Sequence, residues 1–73
     1  MTTLNLSVNG ELRTLQPAPI PSCLDSVIKA LDHNPKSVVV EHNGVIIPRS
    51  RWQSEVVQEG DNLEIVTIVG GGS

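Results

Sequence analysis

Aromatic residues are almost missing from this chain of 73 residues, which has one Trp and neither Phe nor Tyr. Stacking of successive bases on aromatic faces is thereby excluded, and any core must be built from Val, Ile and Leu. Basic residues are few as well: five Lys and Arg against eight Asp and Glu leave a net charge of −3. That sign is wrong for a surface that binds phosphates by counterion release, so nucleic acid is not expected as a partner. A single cysteine, Cys23, cannot form an internal disulfide, and together with His33 and His42 it makes a poor metal set. No apolar run approaches the roughly 18 residues of a membrane span. The start, Met1-Thr2-Thr3-Leu4-Asn5, lacks the basic-then-apolar layout of a signal peptide. A cytoplasmic protein without a membrane partner is therefore expected. With 38% hydrophobic and 18% charged residues the composition is globular rather than disordered, and the length suits one small domain that buries only about 60% of its unfolded surface.

Leu4, Leu6 and Val8 alternate with polar residues and run into Asn9-Gly10, a dipeptide that tolerates positive φ at both positions and so predicts a tight hairpin. Glu11 to Leu15 is the return strand, stopped by Gln16-Pro17-Ala18-Pro19-Ile20-Pro21, because proline has no N–H for a ladder. Leu24, Val27, Ile28 and Leu31 then follow helical spacing, predicting a helix over 23–32 with Ser22 as N-cap, Asp25 as the acidic member of a capping box, and Asn34-Pro35 as the stop. Val38 to His42, Asn43-Gly44 and Val45 to Ile47 predict a second hairpin. Arg49 to Gln53 reads as a helical turn or loop, Glu59-Gly60-Asp61 as a turn, and 62–69 as the last strand. In that strand Leu63, Ile65, Thr67 and Val69 alternate with Glu64, Val66 and Ile68, so both faces are apolar enough for a central position. The order ββ, α, ββ, β is that of an α+β fold, a mixed sheet of about five strands packed on one helix. One helix covers one face, which leaves an apolar patch on the other for a partner.

The ending, Gly70-Gly71-Gly72-Ser73, follows no turn and precedes no helix, so it is not a phosphate-binding loop. Residues 1–69 read as the folded domain and 70–73 as a flexible glycine-rich tail. Three glycines span about 10 Å when extended and carry no side chain to obstruct a narrow channel. Such a tail can deliver a carboxyl group into another protein's active site; it can equally be a frayed end or an appended linker.

The small size, the element order, Val45-Ile46-Ile47-Pro48-Arg49-Ser50-Arg51-Trp52, Glu59-Gly60-Asp61 and Val69-Gly70-Gly71-Gly72 together resemble the ThiS family, the sulfur carriers of thiamine biosynthesis. The resemblance implies a ubiquitin-like β-grasp fold and no catalysis by the chain itself. It implies that Gly72, the second residue of the pair Gly71 and Gly72, is adenylated by an E1-like activating enzyme using ATP. The adenylate is then converted to a thiocarboxylate with sulfur from a cysteine-derived donor system, and thiazole synthase accepts that sulfur. No cofactor or metal bound by the chain is implied. Family members end at the glycine that Gly72 matches, so Ser73 is either removed by a protease or appended. A small subunit of molybdopterin synthase, a ubiquitin-like modifier and a plain β-grasp interaction module are the alternatives.

For partner docking, the candidates are Val66 and Ile68 on the uncovered face, with Arg49 and Trp52. Trp52 also reads as a plug over an aliphatic core. Cys23 reads as a small buried hydrophobe rather than a sulfur relay. Glu55, Glu59, Asp61 and Glu64 read as a solvated face, with steering towards a basic activating enzyme as the alternative. His33 and His42 are given neither a base nor a ligand to work with.

Overall fold

The computed structural model describes residues 2–68. Within them the chain forms β1 (Leu4–Val8), β2 (Glu11–Leu15), α1 (Leu24–Ala30), β3 (Val38–His42), β4 (Val45–Ile46) and β5 (Asn62–Thr67), with short 3-10 turns at Pro35–Ser37 and Arg49–Arg51. The sheet order is β2-β1-β5-β3-β4. The last strand is central, parallel to β1 and antiparallel to β3, as its two apolar faces predict. This five-stranded mixed sheet on one helix is the expected α+β β-grasp architecture. Val69 and the tail residues Gly70, Gly71, Gly72 and Ser73 lie outside the described residues.

Both hairpins turn through their Asn-Gly pairs, with Asn9 at φ 51°, Gly10 at 82°, Asn43 at 52° and Gly44 at 87°. The two asparagines also do more than turn. The Asn9 amide accepts from the Ile65 N–H at 2.7 Å and donates to the Ile65 carbonyl at 3.1 Å, while its own backbone N–H reaches the Leu63 carbonyl at 2.9 Å. Its side chain thus acts as one more peptide unit of β1 and lengthens the short parallel ladder with β5. On the other side Asn43 accepts from the Asn62 N–H at 2.8 Å. Asn9→Asp keeps the acceptor but sets a carboxylate oxygen against the Ile65 carbonyl, so it is expected to cost about 1–2 kcal/mol. A urea midpoint unchanged from the parent would show that the amide donor contributes nothing.

Leu24, Val27, Ile28 and Leu31 are all buried and seat α1 on Leu4, Leu6, Val40, Leu63 and Ile65 of the sheet. The helix is shorter than the predicted 23–32 at both ends. Its N-cap is Cys23, without a side-chain cap, and Ser22 instead donates its hydroxyl to the Pro19 carbonyl at 2.6 Å. The open N–H groups of the first turn are taken by the crossover loop: Leu24 N–H donates to the Glu55 carbonyl at 2.8 Å and Asp25 N–H to the Trp52 carbonyl at 3.3 Å. Asp25 sits in no capping box and pairs with Lys29 at 3.4 Å. At the other end Asp32 takes φ 69° and the His33 N–H returns to the Ile28 carbonyl at 3.2 Å, closing the helix before the proline. Asn34 caps the next 3-10 turn, accepting from Lys36 N–H at 3.0 Å.

Candidate functional site

The candidate site is the end of β5 and the sheet face beside it, where the described residues reach Ile68. The Ile68 N–H donates to the Ser37 carbonyl at 2.7 Å, so the chain is held against the start of β3 up to this residue. Strand parity puts Leu63 and Ile65 under the helix and Val66 and Ile68 on the uncovered face. Val39 lies directly opposite Val66 in register, and Ile46 opposite Glu41 on the next strand. Val39, Ile46, Val66 and Ile68 are 39%, 62%, 61% and 53% exposed, an aliphatic patch at the tail end of the sheet. An open groove of about 350 Å³ runs along it, lined by Val39, Ile46, Pro48, Arg49 and Ile68 among others.

Ile68 and Arg49 thus share this groove, and Val66 lies next to its Val39 wall on the neighbouring strand. Trp52 forms part of the floor of the same groove but is only 2% exposed, and its indole N–H donates to the Ile47 carbonyl at 2.9 Å. It plugs the end of the core, because the turn Arg49–Arg51 folds the crossover back over the sheet and places the indole inward. Cys23 is buried and shares a hydrogen bond with the Ser26 hydroxyl at 3.3 Å, which holds its thiol below the ordinary range although burial opposes this. Its side chain packs at the helix start.

His42 is where the residue reading fails. Its Nδ1 lies 2.7 Å from a Glu55 carboxylate oxygen and its Nε2 2.6 Å from one of Asp61. The His42 side chain is 9% exposed, Glu55 23% and Asp61 16%. Two acceptors facing two ring nitrogens are both satisfied only by the imidazolium, which donates from each. Burial pushes the His42 pKa down, but the hydrogen bonds and charges of Asp61 and Glu55 override it and the net shift is upward. For Asp61, burial raises and the Gln58 N–H and His42 lower; the net direction is down. The carboxylates sit on opposite sides of the ring and cannot converge on one ion. Among the described residues no group of His, Cys, Asp and Glu is placed to hold a metal. The missed signal was the strand pairing: with His42 opposite Leu63, the turn residue Asp61 must fall beside the ring.

Of the acidic residues expected on a solvated face, Glu55 and Asp61 are partly buried while Glu59 and Glu64 are exposed. Glu55 and Asp61 hold His42, and Glu59 accepts from the backbone and side-chain N–H groups of Asn5 at 2.9 and 2.7 Å, which lowers its pKa. Glu64 alone of the four points from β5 into solvent without such a partner among the described residues.

The ThiS family profile matches residues 6–72. The chain belongs to the ThiS family. This bears out the resemblance carried together by the small size, the element order, Val45 to Trp52, Glu59-Gly60-Asp61 and the glycine ending, and it puts the chain among small sulfur carriers of thiamine biosynthesis, which are not themselves catalysts. A thiamine biosynthesis protein (ThiS) of Geobacter metallireducens has a similar solved structure, with a TM-score of 0.77 and 31% identity over 94% of this chain and all of that one. An uncharacterized protein, ycf40, of Pyropia yezoensis is 32% identical over 97% of this chain and 96% of its own length. A thiazole synthase of Paramagnetospirillum magneticum is 34% identical over 96% of this chain, which spans only 21% of that protein. Among the described residues of this ThiS-family chain, no helix is long and apolar enough to cross a membrane.

Proposed function

We propose that the chain delivers sulfur for thiazole formation as a thiocarboxylate on Gly72. The observation that carries this is the family match over residues 6–72, which runs through Gly70 and Gly71 and stops at Gly72. In this reading an E1-like enzyme spends ATP to join the Gly72 carboxylate to AMP, releasing pyrophosphate. A sulfide-level sulfur nucleophile, supplied by a cysteine-derived donor system, then attacks the acyl carbon and forms the C–S bond of the thiocarboxylate as AMP leaves, and thiazole synthase takes the sulfur from the carrier's end. The choice of synthase is supported by two thiazole synthases, of Paramagnetospirillum magneticum and Magnetococcus marinus, in which a stretch like this chain forms about a fifth of the polypeptide. That favours thiamine over molybdopterin.

The aliphatic patch of Val39, Val66 and Ile68 is the surface by which the enzymes hold the carrier while the tail enters the active site. Gly72 must be terminal for this chemistry, so Ser73 is absent from the working form. Incubation with the activating enzyme, ATP and a sulfur donor, followed by intact mass spectrometry, is expected to show the oxygen-to-sulfur increment on a chain ending at Gly72. No increment is expected on a chain ending at Ser73. Loading of the Ser73 form, or of a chain lacking Gly71 and Gly72, would contradict the proposal.

A further inference from the structure

Basic residues are scarce in this chain, yet three of the five, Lys29, Lys36 and Arg49, line one concavity of about 410 Å³. Lys36 and Arg49 also line the aliphatic groove at the end of β5, so the two hollows join at these side chains. Lys29 is engaged by Asp25 at 3.4 Å. Lys36 and Arg49 are exposed, and among the described residues their side chains have neither ion pair nor hydrogen bond. Both stand on fixed backbone. Lys36 is in the turn capped by Asn34, next to the Ser37 carbonyl that holds Ile68; Arg49 opens the turn whose carbonyl receives the Trp52 N–H at 3.1 Å. The rest of the uncovered face has the opposite sign, with Glu41 directly opposite Glu64 on neighbouring strands.

We infer that this corner receives an acidic segment of the activating enzyme, its carboxylates on Lys36 and Arg49 and an aliphatic side chain in the groove beside Val39, Ile46 and Ile68. Charge complementarity selects this occupant. A basic segment would be repelled here and drawn towards Glu41 and Glu64, and a purely apolar one would desolvate two cations without compensation. The guanidinium of Arg49 offers a planar fork for a carboxylate and Lys36 a point charge. Gly72 lies four residues beyond Ile68, within about 14 Å along an extended chain, so a contact here sets where the tail starts its path. This rests on the carrier function proposed above, and it takes the place of the alternative in which the acidic residues steer a basic enzyme: the steering charge is positive and local.

The test is ATP–pyrophosphate exchange by the activating enzyme of the same organism with carrier chains ending at Gly72. Lys36→Glu/Arg49→Glu is expected to raise KM for the carrier at least ~10-fold with kcat little changed, because the loss is one of binding and encounter. Arg13→Glu/Arg51→Glu, with the same change in net charge outside both hollows, is the control and is expected to leave KM within about twofold. The parent KM should rise with salt and that of the first variant should not. Should charge reversal unfold the chain by circular dichroism, Lys36→Gln/Arg49→Gln replaces it, with an expected rise of about threefold or more. Equal KM for the corner and control variants overturns the inference while exchange with the parent upholds the carrier function. No exchange with the parent overturns both.

Discussion

Trp52→Ala is expected to lower the melting temperature by roughly 15–30 °C, the largest effect of any single substitution considered. Truncating a buried Trp costs about 3–5 kcal/mol, and in a domain of this size each kcal/mol moves the midpoint by about 4–8 °C. Two features favour the upper part of that range. The indole is the largest of the fully buried side chains and the only aromatic, so no neighbouring ring can swing into the cavity. Its N–H also satisfies the Ile47 carbonyl, which would be stranded. Trp52→Phe separates the two effects, since it refills much of the volume but leaves Ile47 without its donor, and should cost about 1–3 kcal/mol. Thermal unfolding followed by far-ultraviolet circular dichroism checks both. A shift below about 5 °C for the alanine variant would mean that the crossover loop is not integral to the core. Because the Trp52 and Glu55 carbonyls cap α1, the first turn of the helix should lose amide protection in the same variant.

His42→Ala is expected to cost about 2–3 kcal/mol in mildly acidic solution. Breaking a buried ion pair by removing one partner typically costs about 3–5 kcal/mol, and the partial exposure of Glu55 and Asp61 reduces that figure because solvent and salt screen the remaining charges. The sign of the pH dependence follows from the two shifts. The folded-state pKa of His42 is raised above its ordinary 6.5, so its contribution is fully present below 6.5 and is lost as pH rises through the raised value. That of Asp61 is lowered below 3.8, so its contribution is present above 3.8 and is lost as pH falls through the lowered value. The contribution from this cluster is therefore greatest between those limits. Denaturant midpoints of the parent should decline on the alkaline side of that window, while His42→Ala should start lower and stay level there. A parent curve that does not decline above 6.5 would show that the ring is neutral between its two carboxylates. The structural consequence is specific: His42 belongs to β3, Glu55 and Asp61 to the long connection into β5, so the cationic ring fastens the crossover that carries Trp52 and Arg49.

The electrostatics of the molecule divide accordingly. Most of the acidic residues of the crossover are spent on the fold, in the contacts of Glu55 and Asp61 with His42 and of Glu59 with Asn5. Two cations, Lys36 and Arg49, remain beside the strand from which the tail departs. In the proposed carrier role, a few well-held charges at the rim of an aliphatic patch can provide selectivity for a partner.

The amino-acid sequence by itself determined the features whose physics is local. Asn-Gly pairs accept positive φ wherever they occur, so both hairpins were legible; apolar residues at helical spacing can only share one face, so the buried stripe of α1 was legible too. A strand rich in β-branched and apolar residues suits the middle of a sheet, which placed β5 at the centre although Val66 and Ile68 on its second face stay exposed, and the small size, the element order, Val45 to Trp52, Glu59-Gly60-Asp61 and the glycine ending together sufficed for the family. Only the tertiary structure decided the rest. Ser22 looked like a cap because its residue type suits one, but carbonyls thirty residues downstream reached the helix first. His42 seemed to lack partners because Glu55 and Asp61 come to it through a crossover and a strand pairing. Lys29, Lys36 and Arg49 are scattered along the chain and acquire meaning only where α1, the start of β3 and the crossover meet. Local rules read torsion and periodicity, whereas hydrogen bonds and charges act across space, and which groups share that space is settled only when the sheet closes.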